Sequence, residues 1–343
     1  MRASLTRYGP GEEVARSSLM DERPVHRRRV EAAARRATRW IALGLERFHV
    51  ELKQALPVEA ICTLGAEVAL LCWLSADRVV HGPWNIELAR LRQHLMALGT
   101  LQLTQREMEA GARGAAAGWL VHELALGTSR SDLERAGTWA LCSDALATLR
   151  SSYRRLELLF FLQQAGVGVE EGRWVERSWV EEIKAAQRSA EACLPEACER
   201  EIYELTHILF YVTEFGKQPS RLSTPVRARL NALINLLRLR CIQGNQIDLV
   251  GELLLARWCL SRRLDNSDMD AWDFLLKRQQ ADGGVRACRR DQVDDFIAFY
   301  HPSLVLAITA LIQVYDSDAA SGSATPLRQG SKGNTGGTPW VRA

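Results

Sequence analysis

Apolar residues recur along most of this chain at intervals of three and four positions, which is the spacing of one face of an α-helix. The alternation of apolar and polar residues that indicates strands is scarce. The pattern therefore predicts an all-α fold. The predicted helices cover roughly 21–48, 58–76, 84–98, 103–127, 131–150, 153–165, 178–193, 198–215, 224–242, 246–262, 268–280 and 295–315.

The predicted helices are of two kinds. Those over 60–75, 205–215 and 301–314 are apolar on all sides, whereas those over 178–191 and 226–240 are amphipathic and carry many charges. A helix that is apolar all round must be buried on most sides, while an amphipathic helix faces water with its charged side. Alternation of the two kinds favours an α/α toroid, a complete or incomplete barrel of helical hairpins with the apolar helices inside.

Two further features bear on this architecture. The segment 158–168 echoes the segment 274–284, and helical hairpins recur at roughly regular intervals. Such repetition favours a toroid but is also typical of a superhelical repeat array, which is the alternative all-α arrangement. We expect one toroid-like domain over 21–316, a flexible N-terminus over 1–20, and a disordered tail over 317–343 that is rich in Ser, Gly, Thr and Pro.

Composition narrows the class of protein. The 343 residues are 47% hydrophobic and 25% charged, and a net charge of +3 gives no case for nucleic acid as a partner. The eight cysteines are scattered, which is typical of reduced, buried thiols. The N-terminus lacks the apolar core of a signal peptide. The most apolar run, 60–76, is interrupted by Glu67 and is shorter than the roughly 20 residues that cross a bilayer. We therefore expect a soluble, cytoplasmic protein with no transmembrane segment.

One segment carries the clearest hint of chemistry. Residues 279–285 read Gln-Gln-Ala-Asp-Gly-Gly-Val, and Tyr300, His301 and Pro302 follow about sixteen residues later. Glycine ends helices by adopting positive φ, and proline is tolerated in the first turn of a helix. The pattern predicts that His301 stands at the mouth of a strongly apolar helix over 304–314, at the rim of whatever that helix lines.

This order of elements resembles the repeat of the terpenoid-cyclase and protein-prenyltransferase α/α toroids. More narrowly, residues 274–311 resemble the last repeat of prenyltransferase β subunits, in which the corresponding histidine binds a catalytic zinc. Residues 203–211 are similar to a segment of actinobacterial proteins of this general build. The resemblance implies an enzyme of bacterial specialised, natural-product metabolism. Such an enzyme would catalyse cyclisation or group transfer on a hydrophobic small molecule or a peptide in the mouth of the barrel.

The resemblance also implies a set of ligands for zinc. In prenyltransferases an aspartate, and a cysteine two positions later, complete the set; here Asp248 matches the aspartate, but Val250 stands in place of the cysteine. His207 begins an apolar helix much as His301 does, so His301, Asp248 and His207 together could offer zinc nitrogen and oxygen ligands with one open position. The same residues could instead act in catalysis without a metal, or be held by backbone groups or carboxylates.

Two further residues are expected close to these, and Glu67 is a separate case that could either point into a cavity or form a structural salt link. Glu252 lies one helical turn from Asp248 on the same face, and Tyr300 is the neighbour of His301, so both are predicted to support the site. Glu67 is an isolated carboxylate in an apolar helix. A buried glutamate needs a partner, and an arginine or histidine from a neighbouring inner helix is the expected one.

Cyclisation that begins with a proton needs a carboxylic acid kept protonated by its surroundings. Asp268 with Asp270, and Asp294 with Asp295, are the aspartates nearest to the required pattern, and neither pair matches it. Asp294 and Asp295 are more simply explained as charges at a helix N-terminus.

The alternative function is a non-catalytic binding or scaffold protein that holds a peptide or a partner protein in its cavity or on its helical surface. Whether His207, Asp248 and His301 converge on one cavity separates the two functions.

Overall fold

The computed structural model describes residues 10–76, 78, 83–109, 115–127, 129–142, 149, 151–167, 172–192, 194, 198–286 and 293–320. Within these residues the chain is all-α, with thirteen α-helices, one short 3-10 helix and no strand, which confirms the predicted fold class. In chain order the α-helices are α1 Pro10–Ala55, α2 Val58–Ala76, α3 Pro83–Leu98, α4 Thr100–Glu109, α5 Ala116–Leu126, α6 Arg130–Cys142, α7 Ser152–Gln164, α8 Gly172–Ala192, α9 Glu199–Val212, α10 Thr224–Gln243, α11 Ile247–Ser261, α12 Asn266–Arg278 and α13 Val293–Ala320.

Three boundaries differ from the prediction. Helix α1 begins at Pro10 rather than at residue 21, and proline is well placed in the first turn of a helix. The single helix predicted over 103–127 is two helices, α4 and α5, and Gly111 and Gly114 stand between them in the sequence. Helix α13 continues to Ala320, past the predicted start of the tail. Residues 1–9 and 321–343 lie outside the described residues.

Six helices form a closed succession of contacts. Helix α2 packs against α5, α5 against α7, α7 against α9, α9 against α11, α11 against α13, and α13 against α2. We call α2, α5, α7, α9, α11 and α13 the six-helix set. The other helices pack against its members: α1 on α13, α3 and α4 on α2, α6 on α5, α8 on α9, and α10 and α12 on α11.

Burial explains why the helices divide in this way. In α11, which belongs to the six-helix set, twelve of fifteen residues are buried, whereas α10 beside it buries six of twenty. A helix that is apolar all round is stabilised most when it is packed on every side, whereas an amphipathic helix buries its apolar residues by packing on one side. The echoing segments 158–168 and 274–284 end helices of different kinds, because α7 belongs to the six-helix set and α12 does not.

Two helices are long and apolar enough to cross a bilayer by length and composition, α2 over Val58–Ala76 and the part Phe296–Asp316 of α13. More than half of each is buried inside the protein, as in core helices that pass the same test. The cytoplasmic location stays a prediction.

The glycine-rich segment before α13 is fixed against α1. Gly283 has a φ of 105°, and a Cβ at this position would collide with the backbone carbonyl of Arg36. The side-chain amide of Gln279 donates to the carbonyls of Ala33, at 2.8 Å, and of Gly283, at 3.0 Å. Glycine is therefore required here by positive φ and by the close approach of α1, which is an architectural reason.

The prediction that Pro302 occupies a first turn is wrong. Helix α13 begins at Val293, so Pro302 lies inside the helix and His301 lies in its third turn rather than at its mouth. Two hydrogen bonds bind this part of α13: the Ser303 hydroxyl donates to the Phe299 carbonyl at 2.9 Å, and it accepts from the Val285 N–H at 2.9 Å. His301 is consequently held in a wall formed by packed helices.

Candidate functional site

A cavity of about 480 Å³ is lined by residues from every member of the six-helix set and from α4. Most of the lining side chains are apolar or aromatic, and ionisable side chains from α2, α4, α7, α9, α11 and α13 lie among them. A mostly apolar cavity of this size with a few convergent polar groups is the usual form of a small-molecule site. It is therefore the candidate functional site.

The polar centre of the cavity wall is His301, which lies between two glutamates. Its Nδ1 atom is 3.1 Å from Glu67 Oε2, and its Nε2 atom is 3.5 Å from Glu252 Oε1. We call these three residues the Glu67–His301–Glu252 chain. They come from α2, α13 and α11; His301 and Glu252 lie in the N-terminal halves of their helices, and Glu67 lies at the middle of α2.

Glu252 also connects the chain to α9. The Thr206 hydroxyl donates to Glu252 Oε2 at 2.6 Å, and His207 Nδ1 is 3.6 Å from the same oxygen. The Glu252 side chain is only 3% exposed. A carboxylate buried to this degree needs hydrogen bonds and a cation, and Thr206 and His301 supply them.

The two glutamates keep His301 protonated. Burial lowers the pKa of His301, but the close contacts with Glu252 and Glu67 and their negative charge outweigh burial and raise the pKa well above its usual value. Burial likewise raises the pKa of Glu67, but hydrogen bonds from His301 and Tyr300 and the charge of His301 bring it below its usual value. At neutral pH the cavity wall therefore contains a positively charged His301 imidazolium in contact with the negatively charged Glu67 carboxylate.

His301 has one ring nitrogen whose hydrogen bonding is incomplete. Its Nε2 atom is buried and has no hydrogen bond within the described residues, because 3.5 Å with this geometry to Glu252 is ion-pair contact only. Nδ1, by contrast, is within hydrogen-bond distance of Glu67. The proton on Nε2 is consequently the less firmly held of the two.

His207 and His301 line the cavity but Asp248 does not, so the three predicted site residues do not converge on it. The Nδ1 atom of His207 is 2.8 Å from the Tyr203 carbonyl, to which it donates, so Nδ1 carries a hydrogen. Asp248 accepts a hydrogen bond from the Tyr203 hydroxyl. Burial and the charges of Glu252 and Asp248 raise the pKa of Tyr203 far above its usual value, so it stays a donor.

The ligand set that the resemblance implies for zinc does not fit this structure. In the part of the chain that the structure describes, no three His, Cys, Asp or Glu side chains are arranged to hold a metal ion. Asp248 is directed to Tyr203 instead of to His301, and Val250, in place of the cysteine, is fully buried. We derive no chemical step through zinc.

Both predicted supporting residues are in contact with the chain. Tyr300 donates a hydrogen bond to Glu67, and burial together with the Glu67 charge raises the pKa of Tyr300 far above its usual value. Glu252 is more central than predicted, since it contacts both His301 and His207. The expected partner of Glu67, a histidine from a neighbouring helix, is confirmed as His301.

A second polar cluster on the wall was not predicted. Arg154 donates to Glu157 Oε2 at 2.8 Å, and the Tyr211 hydroxyl donates to Glu157 Oε1 at 2.9 Å. The Arg154 guanidinium lies over the Tyr153 ring, 5.0 Å from its centroid. The sequence signal was a charged pair three positions apart at the start of an apolar helix.

None of the aspartates whose side chains the structure describes lines the cavity. Asp268 is fully buried, accepts from Arg238, and forms a capping box with Asp265 at the start of α12. Its role is structural. The side chains of Asp294 and Asp295 lie outside the described residues.

Comparison with known proteins places the chain in a family. A family described as a domain of unknown function, DUF6895, matches residues 34–311, and the chain belongs to it. No curated protein and no solved structure matched the chain. The matched region includes Glu67, Glu252 and His301, so the site lies inside the part of the chain that defines the family.

Proposed function

We propose that the protein is an α/α toroid that acts as an enzyme on a hydrophobic substrate in its central cavity. Three observations support the toroid. The six-helix set closes on itself, the remaining helices pack against its members, and every member of the set contributes to one cavity. The resemblance of residues 274–311 to a toroid repeat agrees with this arrangement. A superhelical repeat array, in contrast, would not bring α13 back against α2.

The proposed chemistry is proton transfer by the Glu67–His301–Glu252 chain. His301 carries a proton at neutral pH, and Glu67 is ionised and 30% exposed towards the cavity. A positioned imidazolium can give a proton to a substrate, and a carboxylate beside it can accept one. The observation that carries the proposal is His301 Nε2, a buried protonated nitrogen without a hydrogen bond in the wall of an apolar cavity.

Cyclisation suits this site better than group transfer does. A cyclisation started by a proton needs one donor and one acceptor, and it returns the proton without a second substrate. Here the imidazolium of His301 takes the place of a protonated carboxylic acid as the donor, and the Glu67 carboxylate is the acceptor. Water is kept from the reacting atoms by the apolar lining, which strengthens each charge interaction.

The test is turnover of a substrate panel by the purified protein. The panel contains linear isoprenoid alcohols, linear isoprenoid epoxides and linear hydrophobic peptides, each analysed by liquid chromatography and mass spectrometry. Cyclisation of an isoprenoid alcohol or epoxide changes the retention time and leaves the mass unchanged, whereas cyclisation of a linear peptide through an amide releases water and lowers the mass by that of one water molecule. We expect turnover by wild type, and a loss of roughly a hundredfold or more in His301→Gln and in Glu67→Gln.

His94→Gln is the matched control. His94 is a histidine whose Nε2 atom pairs with Glu46 Oε2 at 3.7 Å, and it does not line the cavity. Its substitution should leave turnover as in wild type. Equal turnover by folded His301→Gln and wild type would contradict the proposed chemistry.

The second candidate function is binding without catalysis, which the predominantly apolar lining favours. A neutral apolar fluorescent probe, N-phenyl-1-naphthylamine, tests occupancy of the cavity. Both functions predict that the probe binds and that Ala66→Trp, which fills the cavity, abolishes its binding. Binding by panel members together with no change in their retention time would favour the binding function.

A further inference from the structure

The charges on the cavity wall are unbalanced. Five glutamates line the cavity, and the lining cations are Arg154 and His301. Counting His207 as neutral, the described lining has a net formal charge of −3. The five lining glutamates are Glu59, Glu67, Glu107, Glu157 and Glu252.

The two cations are already engaged by carboxylates. Arg154 is 2.8 Å from Glu157, whose other oxygen accepts from Tyr211 at 2.9 Å. His301 lies between Glu67 and Glu252. A phosphate or carboxylate ligand would therefore meet cations whose charge is already neutralised and would be repelled by the remaining glutamates.

Two of the glutamates concentrate negative charge on one side of the cavity. Glu59 on α2 and Glu107 on α4 both line the cavity, and the charge of each acts on the thiol of Cys62, which lines it too. Burial raises the pKa of Cys62, the hydrogen bond to Thr104 lowers it, and the charges of Glu107 and Glu59 raise it further. A cation placed beside these two carboxylates would be attracted by both.

The rest of the lining suits the body of an organic ligand. Phe161, Phe210, Tyr211 and Phe215 line the cavity together with leucine, valine and isoleucine side chains. The Phe210 and Phe215 rings are stacked with centroids 5.7 Å apart. Aromatic faces attract cations as well as apolar groups, so the same surface accepts both parts of such a ligand.

We propose that the cavity selects a hydrophobic organic cation, such as an alkyl or cycloalkyl amine, over neutral and anionic molecules of the same shape. The ammonium group lies beside Glu59 and Glu107, and the apolar body lies against the phenylalanine rings. This inference rests on the proposed function, because it names the ligand class of the same cavity.

The experiment compares three molecules with one apolar body: 1-adamantylamine, 1-adamantanol and adamantane-1-carboxylate. Each displaces N-phenyl-1-naphthylamine from the full-length protein at pH 7 and low salt, and the dissociation constants are obtained from fluorescence. We expect the amine to bind roughly tenfold more tightly than the alcohol, about 1.4 kcal/mol. The carboxylate should bind more weakly than the alcohol, and added salt should reduce both differences.

Substitution of the lining glutamates tests which residues cause the tighter binding of the amine. Glu59→Gln with Glu107→Gln should reduce the preference for the amine several-fold and leave the affinity for the alcohol unchanged. Glu51→Gln with Glu181→Gln removes the same charge from exposed positions outside the cavity and should leave the preference intact. Circular dichroism verifies that each variant is folded, and the order of the three ligands on wild type does not depend on any variant.

The outcomes separate this inference from the proposed function. Binding of the alcohol as tightly as the amine would overturn the inference while the apolar cavity and its proposed function stand. Failure of the fluorescent probe and of all three adamantane molecules to bind would overturn both. A preference for the amine that survives Glu59→Gln with Glu107→Gln would overturn the assignment of the ammonium position.

Discussion

Replacing Glu67 with glutamine should lower the pKa of His301 and destabilise the folded protein at neutral pH. Glu67 is one of two carboxylates that raise the pKa of His301. A hydrogen bond to a charged group contributes about 1.5–3 kcal/mol. The side chains of His301 and Glu67 are 26% and 30% exposed, and Glu252 remains as a partner, so we expect about 1.5 kcal/mol, at the lower end.

The sign of the pH dependence follows from the two shifts. The raised pKa of His301 contributes stability that is fully present below its unfolded pKa and is lost as the pH rises through the folded pKa. The lowered pKa of Glu67 contributes stability that is present above its unfolded pKa and is lost as the pH falls through the folded pKa. The free energy of unfolding of wild type should therefore exceed that of Glu67→Gln most between the ordinary pKa of a glutamate and the ordinary pKa of a histidine, and the difference should fall as the pH rises from there to the raised pKa of His301.

Two measurements test this prediction. Nuclear magnetic resonance titration of the histidine Cε1 protons gives the midpoint of His301, identified by the signal that disappears in His301→Gln. Urea unfolding at several pH values gives the free energy of unfolding. An unchanged His301 midpoint, or a loss below about 0.5 kcal/mol at pH 7, would refute the reasoning.

The control is an exposed pair of the same two residue types. His94 Nε2 is 3.7 Å from Glu46 Oε2, and Glu46 is 60% exposed. Exposed ion pairs contribute about 0–1 kcal/mol, because water and salt screen them. Glu46→Gln should therefore cost less than Glu67→Gln, and an equal cost would show that the cavity gives Glu67 no special role.

Three other substitutions, each at a buried or hydrogen-bonded polar side chain, are tested by urea unfolding. Asp268→Asn leaves the buried Arg238 guanidinium without its charged partner and should cost about 3–5 kcal/mol. Burial lowers the pKa of His122 to about 4, so wild type should lose about 3 kcal/mol as the pH falls from about 6.5 to 4, a loss that His122→Gln should reduce. Tyr203→Phe removes the donor to Asp248 and should cost about 1–3 kcal/mol at pH 7. A change below about 0.5 kcal/mol would contradict the contact concerned.

The helices could be predicted where periodicity and breakers agree. The range predicted for the second helix, 58–76, is the range observed for α2. The prediction was wrong over 103–127, because apolar residues keep a helical spacing on both sides of Gly111 and Gly114. The predicted start of the last helix was also wrong. Proline is typical of a first turn, but Pro302 lies inside α13, a helix that packs against several others. Local pattern thus predicts which segments are helical, and tertiary packing decides where they join.

The sequence predicted which kinds of residue form the candidate site but not which residues are in contact with each other. A glutamate in an apolar helix needs a partner, which predicted a histidine or arginine for Glu67, yet 234 positions separate it from His301 and no local rule identifies the pair. Asp248 was chosen for its spacing in a resemblance, and the structure directs it to Tyr203. Glu252, one turn further into α11, reaches both histidines instead.

A crystal structure of the protein soaked with 1-adamantylamine tests the central claim most directly. We predict density for the ligand inside the cavity enclosed by the six-helix set. We also predict that Glu67 and Glu252 each place a carboxylate oxygen within about 4 Å of a ring nitrogen of His301. Density for the ligand only outside that cavity, or a His301 ring with no carboxylate within about 4 Å, would contradict the account.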